Sequence, residues 1–180
     1  MKQNDNIKKL IDILVVEDIL VSINDNLEIL IKLIPEIKFM FNFKHNHPHH
    51  HLNVWEHTLC ALSLSDNDFD VRLTLLLHDI GKPFSYQDEE VRHFKNHAKV
   101  SANMTFDILK RLGFSYEYIL KIYYLVLMHD TPITKSDINN NYNLQLKRYK
   151  VQKCDAYAHN PSFLEKRIEY INKTKKLFII

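Results

Sequence analysis

The sequence predicts an all-α fold, on three observations. Only 2 of its 180 residues are glycine, and both stand where a helix should stop: Gly81 after a His-Asp pair and Gly113 after "TFDILKRL". Strand signals are poor, since no Asn-Gly or Asp-Gly turn joins β-branched alternations. Apolar residues recur instead at spacings of three and four, as in Ile7, Leu10, Ile11 and Leu14, and again in Ile119, Ile122, Tyr123 and Val126.

Taken in order, the pattern predicts helices over roughly 5–20, 23–34, 53–65, 69–79, 97–112, 116–129, 143–159 and 162–177. Asn53, Asp68, Asn96, Ser115 and the Pro161–Ser162 pair are the expected caps, because short polar side chains satisfy the free N–H groups of a first turn. Pro83 and Pro132 follow the two His-Asp pairs closely, as expected just past helix ends. The stretches 35–52, 80–95 and 130–142 read as irregular, and "INNNYN" as a polar loop. The chain is expected to form one unit over 1–180, with N-terminal helices in 1–34, a metal-binding core in 35–165 and a C-terminal helix in 166–180.

With 46% apolar and 26% charged residues the composition is that of a soluble globular chain able to bury a core. A net charge of +2 and a pI near 8.4 demand no polyanionic partner. The C-terminal third is more basic, with Lys147, Arg148, Lys150, Lys153, Lys166, Arg167, Lys173, Lys175 and Lys176 against Asp155, Glu165 and Glu169. That stretch is read first as a solvated helix face, with an anionic partner as the alternative. Cys60 and Cys154 fall inside apolar helical patterns and read as small core residues in a reducing compartment. "MKQNDNIKKL" has no apolar signal core, and no apolar run approaches the about 18 residues of a membrane span, so a cytoplasmic protein is expected.

The residues that carry chemistry are His57 in "NVWEHTLCAL", His78 and Asp79 in "TLLLHDIGKP", His97, His129 and Asp155. Imidazole and carboxylate together suit a borderline divalent ion such as Mn, Fe, Co, Ni or Zn, in one or two copies, with Mg also admissible. A helix end frees adjacent residues from the ~100° separation they keep on a continuous helix, so His78 and Asp79 can reach one ion. Ligands drawn from separate helices then tie a bundle core together around the metal. Gly81 would turn the chain away, and Lys82 would offer positive charge to an anionic oxygen. Taken singly, each residue has a plainer reading: Asp79 as a cap, His78 and His129 as helix-end dipole partners, and Lys82 as a solvated cation.

Read together, "LIPEIKFM", "HLNVWEHTLCAL", "LLLHDIGKP", "FKNHAKVSANMTFDILKRLGFS", "YLVLMHD" and "KCDAYAHNP" resemble the HD-domain metal-dependent phosphohydrolase superfamily. In local wording they are similar to the HD region of bacterial CCA-adding tRNA nucleotidyltransferases and related HDIG proteins. The resemblance runs from about residue 23 to about residue 165. It implies a helical bundle in which His57, His78, Asp79 and Asp155 hold a first ion, and His97 and His129 complete a second site with Asp79 bridging. It also places Lys82 on substrate phosphate and His51 beside the pocket, and Arg148 joins these two as a substrate-contact candidate.

The activity expected of such a set is phosphoester hydrolysis. The ion polarises a phosphoryl oxygen and lowers the pKa of a water toward ~7. Asp79 takes that water's proton when one ion is bound. Lys82, helped by His97 or His129, neutralises charge developing on phosphorus. The expected partner is a phosphorylated small molecule or nucleotide, with an RNA end as the variant suggested by the tRNA enzymes; no membrane partner is expected, and the oligomeric state is left open. The alternative from another class is a catalytically idle module that binds a nucleotide or an RNA end. The chain shows no Gly-Ser start with paired Asp-x-Asp, the mark of the tRNA enzymes' nucleotidyltransferase head, so it is not expected to add CCA. His45, His47, His49 and His50 fall outside the resemblance and read as a solvated polar loop, or else as a further metal site.

Overall fold

The computed structural model describes residues 4–46, 51–87 and 92–178, and among them there is no strand, only two isolated bridges, Lys44 with Asn53 and Gln87 with His93. The α-helices are α1 (Asp5–Leu14), α2 (Ile19–Asp25), α3 (Leu27–Leu33), α4 (Val54–Ser63), α5 (Phe69–Leu77), α6 (His97–Leu112), α7 (Tyr116–Leu127), α8 (Lys135–Asn140), α9 (Tyr142–Tyr157) and α10 (Glu165–Leu177). Single 3-10 segments span Pro35–Met40, Lys82–Phe84 and Pro161–Phe163.

The middle of the bundle is α5. Every residue from Asp70 to Leu77 is buried, which is what a helix apolar on all sides requires. It packs against α1, α4, α6, α7 and α9, while α6 and α7 pair as a hairpin. Gly113 makes that hairpin: it closes α6 at φ 86°, a left-handed conformation that costs an L side chain but not glycine, and the Asn4 side chain covers it while donating to Leu112 O.

Several expected boundaries move, each for a tertiary reason. The helix expected over 5–20 ends at Leu14 and restarts at Ile19. Buried Arg72 donates one guanidinium nitrogen to both Leu14 O and Val16 O at 2.7 and 2.6 Å, and Asp18 caps the restart through Val21 N–H. The stretch 130–142 holds α8, whose start is a capping box between Thr134 and Asp137. Asn53, Asp68 and Ser115 cap as expected. Asn96 does not cap with its side chain; it turns the chain into α6 at φ 63°, which asparagine tolerates better than most residues. Pro161 and Ser162 open a 3-10 turn, and α10 begins only at Glu165. Both cysteines are free thiols, Cys154 buried and Cys60 half-buried. Among the described residues no helix is long and apolar enough to cross a membrane.

Candidate metal centre

Five helices deliver the site. The capping box of Asn53 and Glu56 fixes the start of α4 and sets His57 in its next turn, buried. Apolar α5 carries the chain through the core to His78, its C-terminal cap, and Asp79, both buried. There the chain meets α6 closely: Gly81 N–H donates to Ser101 Oγ at 2.9 Å, and a Cβ on Gly81 would stand 2.5 Å from the Ser101 backbone nitrogen. Close approach, with φ at an ordinary −84°, is what selects glycine here. His97 opens α6, His129 follows the end of α7, and Asp155 lies in the last turns of α9.

The side chains converge on Asp79. Its Oδ2 lies 3.3 Å from His78 Nε2 and 3.7 Å from His57 Nε2, and its Oδ1 lies 3.6 Å from His97 Nε2 and 4.0 Å from His129 Nε2. Asp155 Oδ1 completes the first group, 2.8 Å from His57 Nε2 and 3.6 Å from His78 Nε2. The other ring nitrogens are all spent on backbone carbonyls: His57 Nδ1 donates to Ala158 O, His78 Nδ1 to Leu75 O, His97 Nδ1 to Phe94 O and His129 Nδ1 to Val126 O. A carbonyl only accepts, so each Nδ1 carries a proton; His57 Nε2 gives a second one to Asp155 Oδ1 at 2.8 Å, the position from which a bound cation would displace it, and the other Nε2 atoms turn inward on the same centre. This is how metal-ligating histidines are oriented.

Three observations show that the donor set fits a cation. Asp79 Oδ1 and Oδ2 and His78 Nε2 are buried with no hydrogen-bond partner among the described residues. The Lys82 ammonium does reach Asp79 Oδ2 at 2.6 Å, as an ion pair that lacks hydrogen-bond alignment. His97 and His129 turn Nε2 toward Nε2 at 3.3 Å, an arrangement that positive charge between two lone pairs makes favourable. Grouped by reach, His57, His78 and Asp79 could hold one ion, Asp79, His97 and His129 a second, and His57, Asp155 and His159 lie equally close together.

Electrostatics follow from burial and neighbours. Burial alone would push Asp79 and Asp155 up, but His78 and Lys82 around the first, and His159 and His57 around the second, hold both carboxyls well below the usual range. Burial opposes charge on His78, yet Asp79 and Asp155 raise it to about 10. His129 goes the other way, lowered to about 4 by burial and by His78.

Not every expected residue arrives. His51 is exposed and borders a separate surface cavity with Asn42 and Glu56. Arg148, expected at substrate, is fully buried: its guanidinium donates to Met128 O, Thr131 O and Pro132 O, and to Gln145 Oε1. It braces the loop after His129, so its charge is consumed by carbonyls. His47, His49 and His50 lie outside the described residues, but His45 is buried at 1% exposure and is no solvated loop residue. Its Nδ1 donates to Leu52 O at 2.9 Å, so its Nε2 can only accept, and Lys82 Nζ sits there at 3.1 Å. Burial and Lys82 push His45 down to about 2, keeping it neutral. His159 is a further residue that sequence reasoning did not single out. It is buried just past the C-terminal cap of α9, its Nδ1 donating to Asp155 O, and its place four residues after Asp155 was its available signal.

An interior centre of histidines and aspartates carried by the ends of packed helices defines a helical bundle built around a cluster that could hold a metal. Its family follows from comparison: the profile of the HD domain matches residues 49–158, and the chain belongs to the HD-domain family, whose members form a metal-dependent phosphohydrolase superfamily and bind divalent metals. The chain is 34% identical over 104 residues to a CC-adding tRNA nucleotidyltransferase of Thermus thermophilus, covering 53% of this chain and 24% of that protein. It is 34% identical over 96 residues to an A-adding tRNA nucleotidyltransferase of Deinococcus radiodurans, covering 49% and 22%. The match thus spans about a quarter or less of either relative.

Proposed function

We propose that the chain is a metal-dependent phosphohydrolase acting on the phosphoester of a nucleotide or a nucleic-acid end. The observation that carries this reading is Asp79: both carboxylate oxygens are buried without a hydrogen-bond partner among the described residues, and each faces a different pair of histidine Nε2 atoms. His57, His78, Asp79 and Asp155 would hold a first ion and His97 and His129 a second, with Asp79 shared. A divalent ion supplies Lewis acidity toward a phosphoryl oxygen and makes water a nucleophile near neutral pH.

The chain's own residues do the rest. Asp79, held ionised by its neighbours, is a better ligand than base. Lys82 is buried, pinned between Asp79 Oδ2 and His45 Nε2, so its ammonium is fixed at the wall where charge grows on phosphorus. The Phe94 ring, 5.5 Å from Lys82 Nζ, screens that ammonium from solvent. A cavity of about 230 Å³ opens onto Asp79, Lys82, His97 and His129, giving a phosphoryl group access. The two relatives' names place their action on tRNA, which supports a nucleotide or RNA-end substrate.

The test is elemental analysis of untagged wild type and Asp79→Ala, paired with turnover of bis(p-nitrophenyl) phosphate and 2′,3′-cyclic AMP. Wild type is expected to hold one or two equivalents of Mn, Fe, Co, Ni or Zn, the variant to lose most of it, and turnover to fall at least about 100-fold. Reconstituted wild type without metal overturns the reading. Wild type that holds metal and binds nucleotide without turning over any phosphoester replaces it with the idle binding module.

A further inference from the structure

The basic C-terminal third divides sharply when its partners are traced. Lys147 pairs with Asp68 and Asp70, Lys150 with Asp66 and Lys173 with Glu169, and Arg148 is spent on carbonyls. Lys153, Lys166, Lys175 and Lys176 also lack an ion pair among the described residues, but they are exposed and border neither cavity at the centre, whereas Arg167 does. It sits in the first turn of α10, half-buried, and no ion pair or hydrogen bond ties its guanidinium among the described residues. Asp130 and Asp155 border the same space, yet neither is paired with it.

Its position joins two cavities. The first opens onto the His/Asp centre, and a second of about 110 Å³ lies between α9 and α10. His129, Asp130, Asp155 and Arg167 border both, whereas Lys82 borders only the first. The second cavity is far below the about 300–1,000 Å³ of sites for drug-sized ligands, so it suits a compact group. Its remaining polar wall is already committed: the Tyr170 hydroxyl accepts from Ile133 N–H and donates to Gln152 Oε1, and Gln152 Nε2 donates to Thr131 O. Arg167 is therefore the cation that this cavity offers a ligand, and a guanidinium fork matches a phosphate in a bidentate way.

We propose that Arg167 is a specificity-determining residue that binds a second phosphate of the substrate, next to the one at the His/Asp centre, so that the preferred substrate class is a nucleotide with at least two linked phosphates. This rests on the phosphohydrolase reading of the centre. Lys82 on one side and Arg167 on the other divide the anionic chain between them.

The test is calorimetric titration of AMP and ADP into Mn-loaded protein freed of excess ion, for wild type, Arg167→Ala and Arg167→Lys, each checked for folding by circular dichroism. Wild type is expected to bind ADP at least tenfold tighter than AMP. Arg167→Ala should bring that ratio near one through loss of ADP affinity, with AMP changed less than twofold, and Arg167→Lys should keep part of the preference. A ratio unchanged in Arg167→Ala, or absent from wild type, overturns the assignment to Arg167 while leaving the centre intact. Wild type that takes up Mn but binds neither nucleotide overturns the assignment, while the phosphohydrolase reading stands or falls on turnover of bis(p-nitrophenyl) phosphate and 2′,3′-cyclic AMP.

Discussion

Gly81 and His45 show what a single residue decides in this molecule. A methyl on Gly81 meets the Ser101 backbone nitrogen at 2.5 Å, and backbone cannot step aside as a side-chain tip can. Gly81→Ala is expected to cost about 1–3 kcal/mol, read as a lower denaturant midpoint at unchanged slope. Adding Ser101→Ala removes only the hydroxyl and should restore little. The His-Asp-Ile-Gly wording announced a turn at Gly81, but its reason, a helix from 20 residues on pressed against it, is invisible in local sequence. His45 was hidden differently. Beside Asn46, His47 and Pro48 it reads as loop, and only the fold shows that its ring closes over Lys82. His45→Leu is expected to keep metal content and to raise the apparent KM for a phosphoester, because Lys82 loses one of its two anchors; equal KM in both proteins would show that Asp79 alone places the lysine.

Between helices, two buried charges, Asp70 and Arg148, tie distant segments together. Asp70 on α5 accepts from Tyr118 Oη and Lys121 Nζ of α7, and Lys147 of α9 approaches it at 3.0 Å. Burial alone would push its carboxyl up, but hydrogen bonds from Lys121, Tyr118 and Lys147 bring it below the ordinary value. A depressed folded pKa means that this stabilisation is present above the usual carboxylate range and is lost as pH falls through the folded value. Asp70→Asn should therefore destabilise by about 1.5–3 kcal/mol at pH 7 and flatten the acid limb of the stability curve below the usual carboxylate range, measured by urea unfolding across pH. Arg148 braces the loop between α7 and α8 in the same manner. Arg148→Leu leaves several carbonyls without donors, at about 1–3 kcal/mol each, and should weaken uptake of a second equivalent of metal through His129 more than the first. Periodicity located the long helices well: α6 and α7 carry apolar stripes, α5 is apolar on nearly every side, and side-chain caps open α5, α7 and α9. It failed at Leu14–Ile19, where Arg72 draws the carbonyls out of the helix, and over α8, whose Thr134–Asp137 box was legible but lay in a stretch rich in asparagine.

At the level of the whole bundle, the centre is a cross-link that sequence could name but not weigh. His57, His78, Asp79, His97, His129 and Asp155 were all readable from motif order, and they do meet; His159 and the closure of His45 over Lys82 needed the packing. Since α4, α5, α6, α7 and α9 all supply groups, an ion that binds only the folded chain would stabilise the helices it joins, α4, α5 and α9 at the first position and α5, α6 and α7 at the second. At 100 times its dissociation constant such an ion contributes about 2.7 kcal/mol, which at about 2–4 °C per kcal/mol predicts a rise in Tm of roughly 5–11 °C with Mn. The rise should vanish with chelator and be absent from Asp79→Ala. The basic tail, read in sequence as a solvated face, keeps Lys153, Lys166, Lys175 and Lys176 exposed, but Lys147 and Lys150 pair with Asp68, Asp70 and Asp66 from the far side of the sequence, a pairing that exists only in the assembled bundle.

The uniform turning of the rings has a further consequence for which substrates react fast. With His57, His78, His97 and His129 all giving Nδ1–H to carbonyls, a ring whose Nε2 held an ion would have no second proton to hand to a departing alkoxide. Departure must then be assisted by Lys82, by solvent or not at all. Rates over a series of aryl phosphoesters should accordingly rise steeply as the departing phenol becomes more acidic, and a flat dependence would reveal a proton donor that the ring orientations do not provide.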